Sequence, residues 1–197
     1  VNARENASVG IRSVISQIND LTAQVAHLNA SRISDYRNAL DPGADAQMHA
    51  ALENLSERAG VTVLQNKNGS FSVFLGGQAP LVIPDHQYAI QAGASTLATQ
   101  VVDFEGNDIS GMVHSGKLGG LIDEQRNVIP SYQGQLDELA STFATVVNNR
   151  LKAGLDANGA TPVVDLFSFD PASAAITLSV TAIQPDQIAA AAAGAPG

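Results

Sequence analysis

The 197-residue chain carries 19 acidic and 10 basic residues, a net charge of −9; 45% of it is hydrophobic, only 5% aromatic, and it has no Cys and no Trp. Ten scattered cations cannot build a counterion-releasing surface, which excludes a nucleic-acid binder, and zero Cys excludes disulfides, thiolate metal sites and thiol catalysis. No run of eighteen uncharged apolar residues exists to span a membrane, and a chain of this length buries roughly 70% of its unfolded surface, so one or two domains with a real core are expected.

In chain order, Ile11, Val14, Ile18, Leu21, Val25 and Leu28 step by three and four residues, a heptad-like stripe that predicts a helix over about 1–29. Asp41-Pro42 is a helix-start signal. Met48, Leu52, Leu55 and Ala59 then share a face, and Gly60 follows as a C-terminal cap candidate. This predicts a second helix over 42–59.

The period then switches to two. Val61–Leu64 and Phe71–Leu75 flank Lys67-Asn68-Gly69-Ser70, where Asn-Gly supplies the positive φ angles of a tight hairpin. Short strands are expected at 81–83, 88–90 and 98–104, so a small, mostly antiparallel β region occupies about 61–110. A long helix returns at Leu118, with a stripe of Ile122, Gln125, Ile129, Tyr132, Leu136, Leu139, Phe143, Val146 and Arg150. Pro130 inside it predicts a kink or a restart, and Gly154 ends it. This second stripe reads as the partner of the first, in either orientation. The remainder predicts a hairpin of 163–169 with 175–182 turning at Asp170-Pro171, then an Ala-rich tail at 188–197. No internal repeat is present. The fold class is α+β: long paired amphipathic helices, coiled-coil-like, beside a small antiparallel β region. A main body over 1–155 and an extension over 156–197 are the expected divisions.

Residues that could carry chemistry are few. Gly111 to Leu118 matches G-x-x-x-x-G-K but ends in Leu, where a phosphate-binding loop needs Ser or Thr for magnesium. The residues before it are turn formers, not a buried strand, so a flexible turn is the expected role. His27, His49, His86 and His114 have no metal-ligand spacing, and no G-x-S-x-G elbow supports a triad. Asp103-x-Glu105-Gly106-Asn107-Asp108 and Asp156-Ala157-Asn158-Gly159 lack the pattern of a calcium loop and read as turn chemistry. Asn-x-Ser triplets begin at Asn6, Asn29, Asn54 and Asn68, mostly on or beside helices, and read as chance. No catalytic, metal or cofactor-binding residue is assigned.

Longer blocks are informative in their own right: Val14 to Asn29, Leu52 to Leu75, SGKLGGLIDEQRNVIPSYQGQLDELASTFATVV over 115–147, and LFSFDPASAAITLSV over 166–180. They resemble the flagellar hook-associated protein 1 family, the hook–filament junction proteins, over nearly the whole chain. Residues 32–44 depart from the family's usual Leu-Leu-Asp-Gln-Arg-Asp stretch, so the start of the second helix is expected to differ. The resemblance implies an extracellular structural subunit of the bacterial flagellum, not an enzyme. It would be exported unfolded by the flagellar type III apparatus with a chaperone for the full-length chain. Its partners would be neighbouring junction subunits, the hook protein, the second junction protein and filament proteins. The abrupt ends suggest a central piece without the family's terminal coiled-coil segments, hence a monomer by itself. The alternatives are another axial protein (the second junction protein or a flagellin) and, from a different class, a nucleotide-binding enzyme using Gly111–Lys117.

Overall fold

A computed structural model describes residues 2–34, 41–93, 98–189 and 191–192. Their contacts cluster into two units, Val1–Ile129 and Pro130–Gly197. The helix expected to belong to the main body thus groups largely with the segment after it, where the sequence suggested a division near residue 155.

The first unit is built round helix α1 (Asn2–Ser34), which outruns its expected end by more than a turn. Helix α2 (Pro42–Arg58) starts where the sequence signals it: the Asp41 carboxylate accepts the Gly43 N–H at 2.9 Å and Pro42 occupies the first turn. The divergent stretch before it falls partly on 35–40, outside the described residues. The two helices are antiparallel, because Arg58 Nε donates to Gln17 Oε1 at 3.0 Å at one end and Arg32 pairs with Asp45 at 2.8 Å at the other. Paired long helices are therefore present, and the chain makes the pair from consecutive elements.

Gly60 plays a different part from the cap expected of it. Helix α2 ends on an extended Ala59, and Gly60 is not left-handed. Its N–H donates to the Ser115 carbonyl at 3.3 Å, and a Cβ there would lie 2.2 Å from Ser115 Oγ, a hydroxyl that would have to rotate away, so Gly60 marks a close approach of the two segments. Strands β1 (Val61–Gln65), β2 (Phe71–Leu75), β3 (Ala79–Ile83) and β4 (His86–Gln87) follow as an antiparallel meander in sequence order. In the β1–β2 turn only Gly69 is left-handed, at φ 81°. Its N–H donates to the Asn66 carbonyl and the Asn66 N–H to the Ser70 carbonyl, which makes a type I turn closed by a glycine bulge, not a two-residue Asn-Gly turn. The β2–β3 register shifts between Val73 and Phe74, opposite Pro80, which has no N–H for the ladder. Strands β5 (Gln91–Gly93) and β6 (Gln100–Val102) form a second ribbon. The strand expected over 98–104 stops early because Asp103 captures the next turn.

Helix α3 (Gly116–Asp123) leads through a π-turn (Glu124–Val128) into α4 (Ile129–Lys152). At Pro130, where a kink or a restart is expected, the local backbone forms this π-turn. The N–H of Ile129 reaches back five residues to the Glu124 carbonyl. Proline lacks a donor and its ring crowds the carbonyl four residues back, and a widened turn just before it relieves the clash.

Within the first unit α1 is covered by α2, by β3, β4 and β5, and by α3 with the π-turn. Enclosure from three sides widens its buried face beyond the predicted stripe: Ile11, Val14, Ile18 and Val25 are buried, and so are Thr22, Asn29 and Arg32. The polar members hold the sheet. Asn29 accepts the Phe71 N–H at 2.8 Å and donates to the Phe71 carbonyl at 2.7 Å, with the Pro84 carbonyl as a further acceptor. Asn19 clasps Ile90 in the same way, at 3.0 and 2.8 Å. Each amide side chain imitates a neighbouring strand, satisfying a peptide that would otherwise be buried unpaired. Gln125, the polar exception in the second predicted stripe, accepts the Thr99 N–H at 2.8 Å and donates to Ser8 Oγ at 2.7 Å. That contact, with Leu121 against Gly10, sets α3 antiparallel to the start of α1.

The second unit holds α4, a two-residue pairing of β7 (Gly154–Leu155) with β10 (Ala191–Ala192), and the ribbon β8 (Phe167–Ser168) with β9 (Ser179–Val180). The expected hairpin is present but much shortened. Ala174–Thr177, whose residues 175–177 are expected as strand, is a helical turn, α5, held by Thr177 donating to the Ser173 carbonyl. Residues 190 and 193–197 of the Ala-rich tail lie outside the described residues.

Candidate functional site

The second unit offers a surface rather than a pocket with chemistry. Its back is fixed first. Ala144 and Asn148, one turn apart on α4, are buried. Asn148 repeats the clasp seen in the first unit, accepting the Phe167 N–H at 3.0 Å and donating to its carbonyl at 2.9 Å. Lys152 pairs with Asp165 at 2.7 Å, and Asp137 accepts the Ala175 N–H at 2.8 Å, which pins α5 beside α4.

With that face fixed, the apolar stripe of α4 is left outward. Tyr132, Leu136, Leu139, Phe143 and Val146 are between 51% and 66% exposed. Phe143 is steadied by the Phe167 ring, 5.4 Å between centroids. Leu136, Leu139, Ala140, Phe143 and Ala175 line a shallow groove of about 380 Å³ between α4 and α5. Spacings of four, three, four and three residues make the stripe a heptad seam. The positions beside it, Gln133, Gln135, Ala140, Thr142, Val147 and Asn149, carry no charge, so shape rather than interhelical ion pairs would select what packs there. The first turns of the predicted second stripe behave otherwise: Leu118, Ile122 and Gln125 are buried in the first unit. The expected seam between the two stripes is thus realised there over its opening turns, and the rest is displayed.

The motifs weighed for chemistry have structural places. In Gly111 to Leu118, Gly116 is left-handed (φ 71°), and a Cβ on it would sit 2.6 Å from the Ala59 nitrogen. A Cβ on Gly119 would come within 2.9 Å of the His114 carbonyl carbon. Gly116 thus serves tight backbone packing against the end of α2, and Gly119 against the loop at His114, while Lys117 is exposed. Asp103 accepts the Asn107 side-chain amide and the N–H groups of Asn107 and Glu105, and these bonds, the Asn107 amide first, hold its carboxyl below the ordinary range. Asp108 is lowered likewise, first by the Ser110 hydroxyl and then by the Ser110 N–H. Both are spent on turn geometry. Of the histidines, all exposed, His49 lies 3.5 Å from Asp45 and His86 stacks edge-on with Tyr88. No group of three or more His, Cys, Asp or Glu suited to a metal occurs among the described residues. Among them, too, no helix is long and apolar enough to cross a membrane. Sequence reasoning found the α4 stripe but not its exposure, and it passed over the amide clasps because Asn and Gln beside an apolar stripe look like solvated positions.

A helix-and-sheet domain whose polar residues are largely engaged in holding backbone, and whose most prominent free feature is an apolar helical seam, belongs to the class of structural packing modules. The family comparison makes this specific: residues 2–167 match the family model of the flagellar hook-associated protein FlgK helical domain, and the chain belongs to that family. It is 26% identical over 166 residues to flagellar hook-associated protein 1 of Escherichia coli K12, covering 79% of this chain and 30% of that protein. Its fold superposes on the structure of the flagellar hook junction protein FlgK from Burkholderia pseudomallei with a TM-score of 0.72 and 28% identity, over 85% of this chain and 32% of that one. The chain spans about a third of the length of these relatives.

Proposed function

We propose that this chain is the helical-domain portion of a hook–filament junction subunit, a non-enzymatic building block of the bacterial flagellum that works by packing and by passing mechanical load. Family membership supports the setting, and the displayed α4 seam is the observation that carries the mechanism. The seam from Tyr132 to Val146 is roughly 21 Å long at 1.5 Å per residue, long enough for a helix to pack along it by knobs into holes. Large side chains exposed in a row are stable in water only at a cost that burial in an assembly removes. Neighbouring junction subunits, hook protein, the second junction protein and filament proteins are the partners this reading names. Export through the flagellar apparatus, with a chaperone for the full-length chain, and a final position outside the cell belong to the same reading.

The test is made in the full-length parent protein. Leu139→Asp with Phe143→Asp should leave export and helix content unchanged while cells shed filaments and lose swimming. Normal filament retention with both charges in the seam would overturn the proposal. A magnesium nucleotide titrated against the chain should give no binding. Micromolar affinity abolished by Lys117→Ala would move the reading to an enzyme using Gly111–Lys117.

A further inference from the structure

The chain contains two Asn-Gly pairs, Asn68-Gly69 and Asn158-Gly159, and the structure treats them differently. Both asparagines are exposed at turn tips, and both glycines are left-handed, at φ 81° and 78°. Both glycine N–H groups donate to a carbonyl three residues back, at 3.0 Å in each case. The difference lies in the carboxamides. Asn68 Oδ1 accepts the Ser70 N–H at 3.2 Å and the Ser70 hydroxyl at 2.7 Å, and Ser70 is itself buried. The side chain of Asn158 has no hydrogen-bond partner among the described residues.

We propose that Asn158 is a site of spontaneous covalent modification, deamidating ahead of Asn68 in the folded chain. The backbone nitrogen of Gly159 bonds to Asn158 Cγ, its proton passes to water, and ammonia leaves with the carboxamide nitrogen. One water then opens the resulting five-membered imide at either carbonyl. The products are aspartate, or isoaspartate with one extra backbone carbon, each with a new negative charge. No oxidant, enzyme or cofactor is required. Glycine suits the attack because no side chain crowds its nitrogen. At Asn68 two hydrogen bonds must break before Cγ can swing to Gly69, which corresponds to a roughly tenfold to hundredfold slower reaction.

The modification acts on the turn that carries it. Asp156 Oδ1 accepts the N–H groups of Asn158 and Ala160, both at 2.9 Å, and the Ala157 N–H donates to the Asp186 carbonyl. A second carboxylate at 158 repels Asp156, and the extra carbon of isoaspartate spoils the register of that turn. The result is a slow, irreversible change of charge and local order in the second unit.

The test ages the whole folded chain in mildly alkaline buffer and follows both sites by peptide mass spectrometry, with a chain aged in denaturant as reference. Denatured, the two sites should react at similar rates. Folded, Asn158 should lead by about tenfold or more, and Ser70→Ala should speed Asn68 several-fold without changing Asn158. Amide exchange at Ala157 and Ala160 should quicken as product accumulates. Asn158 staying intact in the folded chain, or Asn68 keeping pace with it, would refute the proposal. Asn158→Gln, which keeps an amide but closes the ring far more slowly, provides the unreactive control.

Discussion

Helices α1 and α4 carry the same alternation of three- and four-residue steps, and the structure puts the two stripes to opposite uses. In α1, Ile11, Val14, Ile18 and Val25 are all but inaccessible to water, enclosed by α2, the β strands and α3. In α4 every large apolar residue from Tyr132 to Val146 is more than half exposed. A heptad pattern therefore specifies a face and its geometry, but it does not say whether the same chain supplies the cover. For α1 the same chain supplies the cover, from α2, from β3 to β5 and from α3 with its π-turn. For α4 the following segment is short on apolar strands and packs instead on the Ala144–Asn148 face.

The sharpest way to break this contrast is truncation at matched positions. Ile18→Ala should destabilise the first unit by about 2–5 kcal/mol through lost burial and a cavity. Leu139→Ala should stay within about 0.5 kcal/mol in the isolated chain. Denaturant unfolding read by circular dichroism distinguishes them, and equal effects would mean that the α4 seam is covered in solution.

Next in size are the amide clasps, common to both units. Asn29→Ala leaves the N–H and carbonyl of Phe71 without their partner, at roughly 1–3 kcal/mol for a buried group left unsatisfied. Asn148→Ala should do the same to Phe167, but the loss should appear as fraying of the β8–β9 ribbon in hydrogen exchange, with the first unit unaffected.

Glycines sharpen the comparison because the sign reverses. Gly116→Ala places a Cβ on the Ala59 backbone in a left-handed conformation and should cost about 1–3 kcal/mol. Gly134→Ala, on open α4, meets nothing within 4 Å and should stabilise by about 0.5–1 kcal/mol. Thermal unfolding of the two variants should therefore move in opposite directions.

The smallest effect is electrostatic. Asp45 is held below its ordinary value, first by its hydrogen bond from Arg32 and then by the nearby His49 and Arg32 charges. A carboxyl lowered on folding stabilises above its unfolded pKa and loses that contribution as pH falls through the folded one. Acidification below the usual carboxylate range should weaken the α1–α2 contact slightly, and Asp45→Asn should flatten that part of the profile.

Much of the local structure was legible from neighbours in the chain. Asp41-Pro42 marked the start of α2 because capping is decided within one turn, and Gly69 marked the first hairpin because only glycine takes its φ freely. Pro130 signalled an irregularity but not its kind, since a π-turn and a kink both satisfy proline. Gly60 was misread as a cap: it lies against Ser115, fifty-five residues away. Asn29 and Asn19 were invisible as structural elements because their partners, Phe71 and Ile90, are distant in sequence. The candidate surface was half legible, in that its residues were named while their exposure was not.

By itself, then, the sequence determined the α+β class, the positions of the long helices, the first hairpin and the family, because periodicity, capping and turn chemistry are local and each acts within a few residues. Tertiary structure alone decided that α1 runs antiparallel to α2 and α3, that polar side chains bind the sheet to α1, and that the α4 stripe faces water. Those outcomes depend on which surfaces meet, and one helix face can be buried by its own chain or left for another at little difference in local energy.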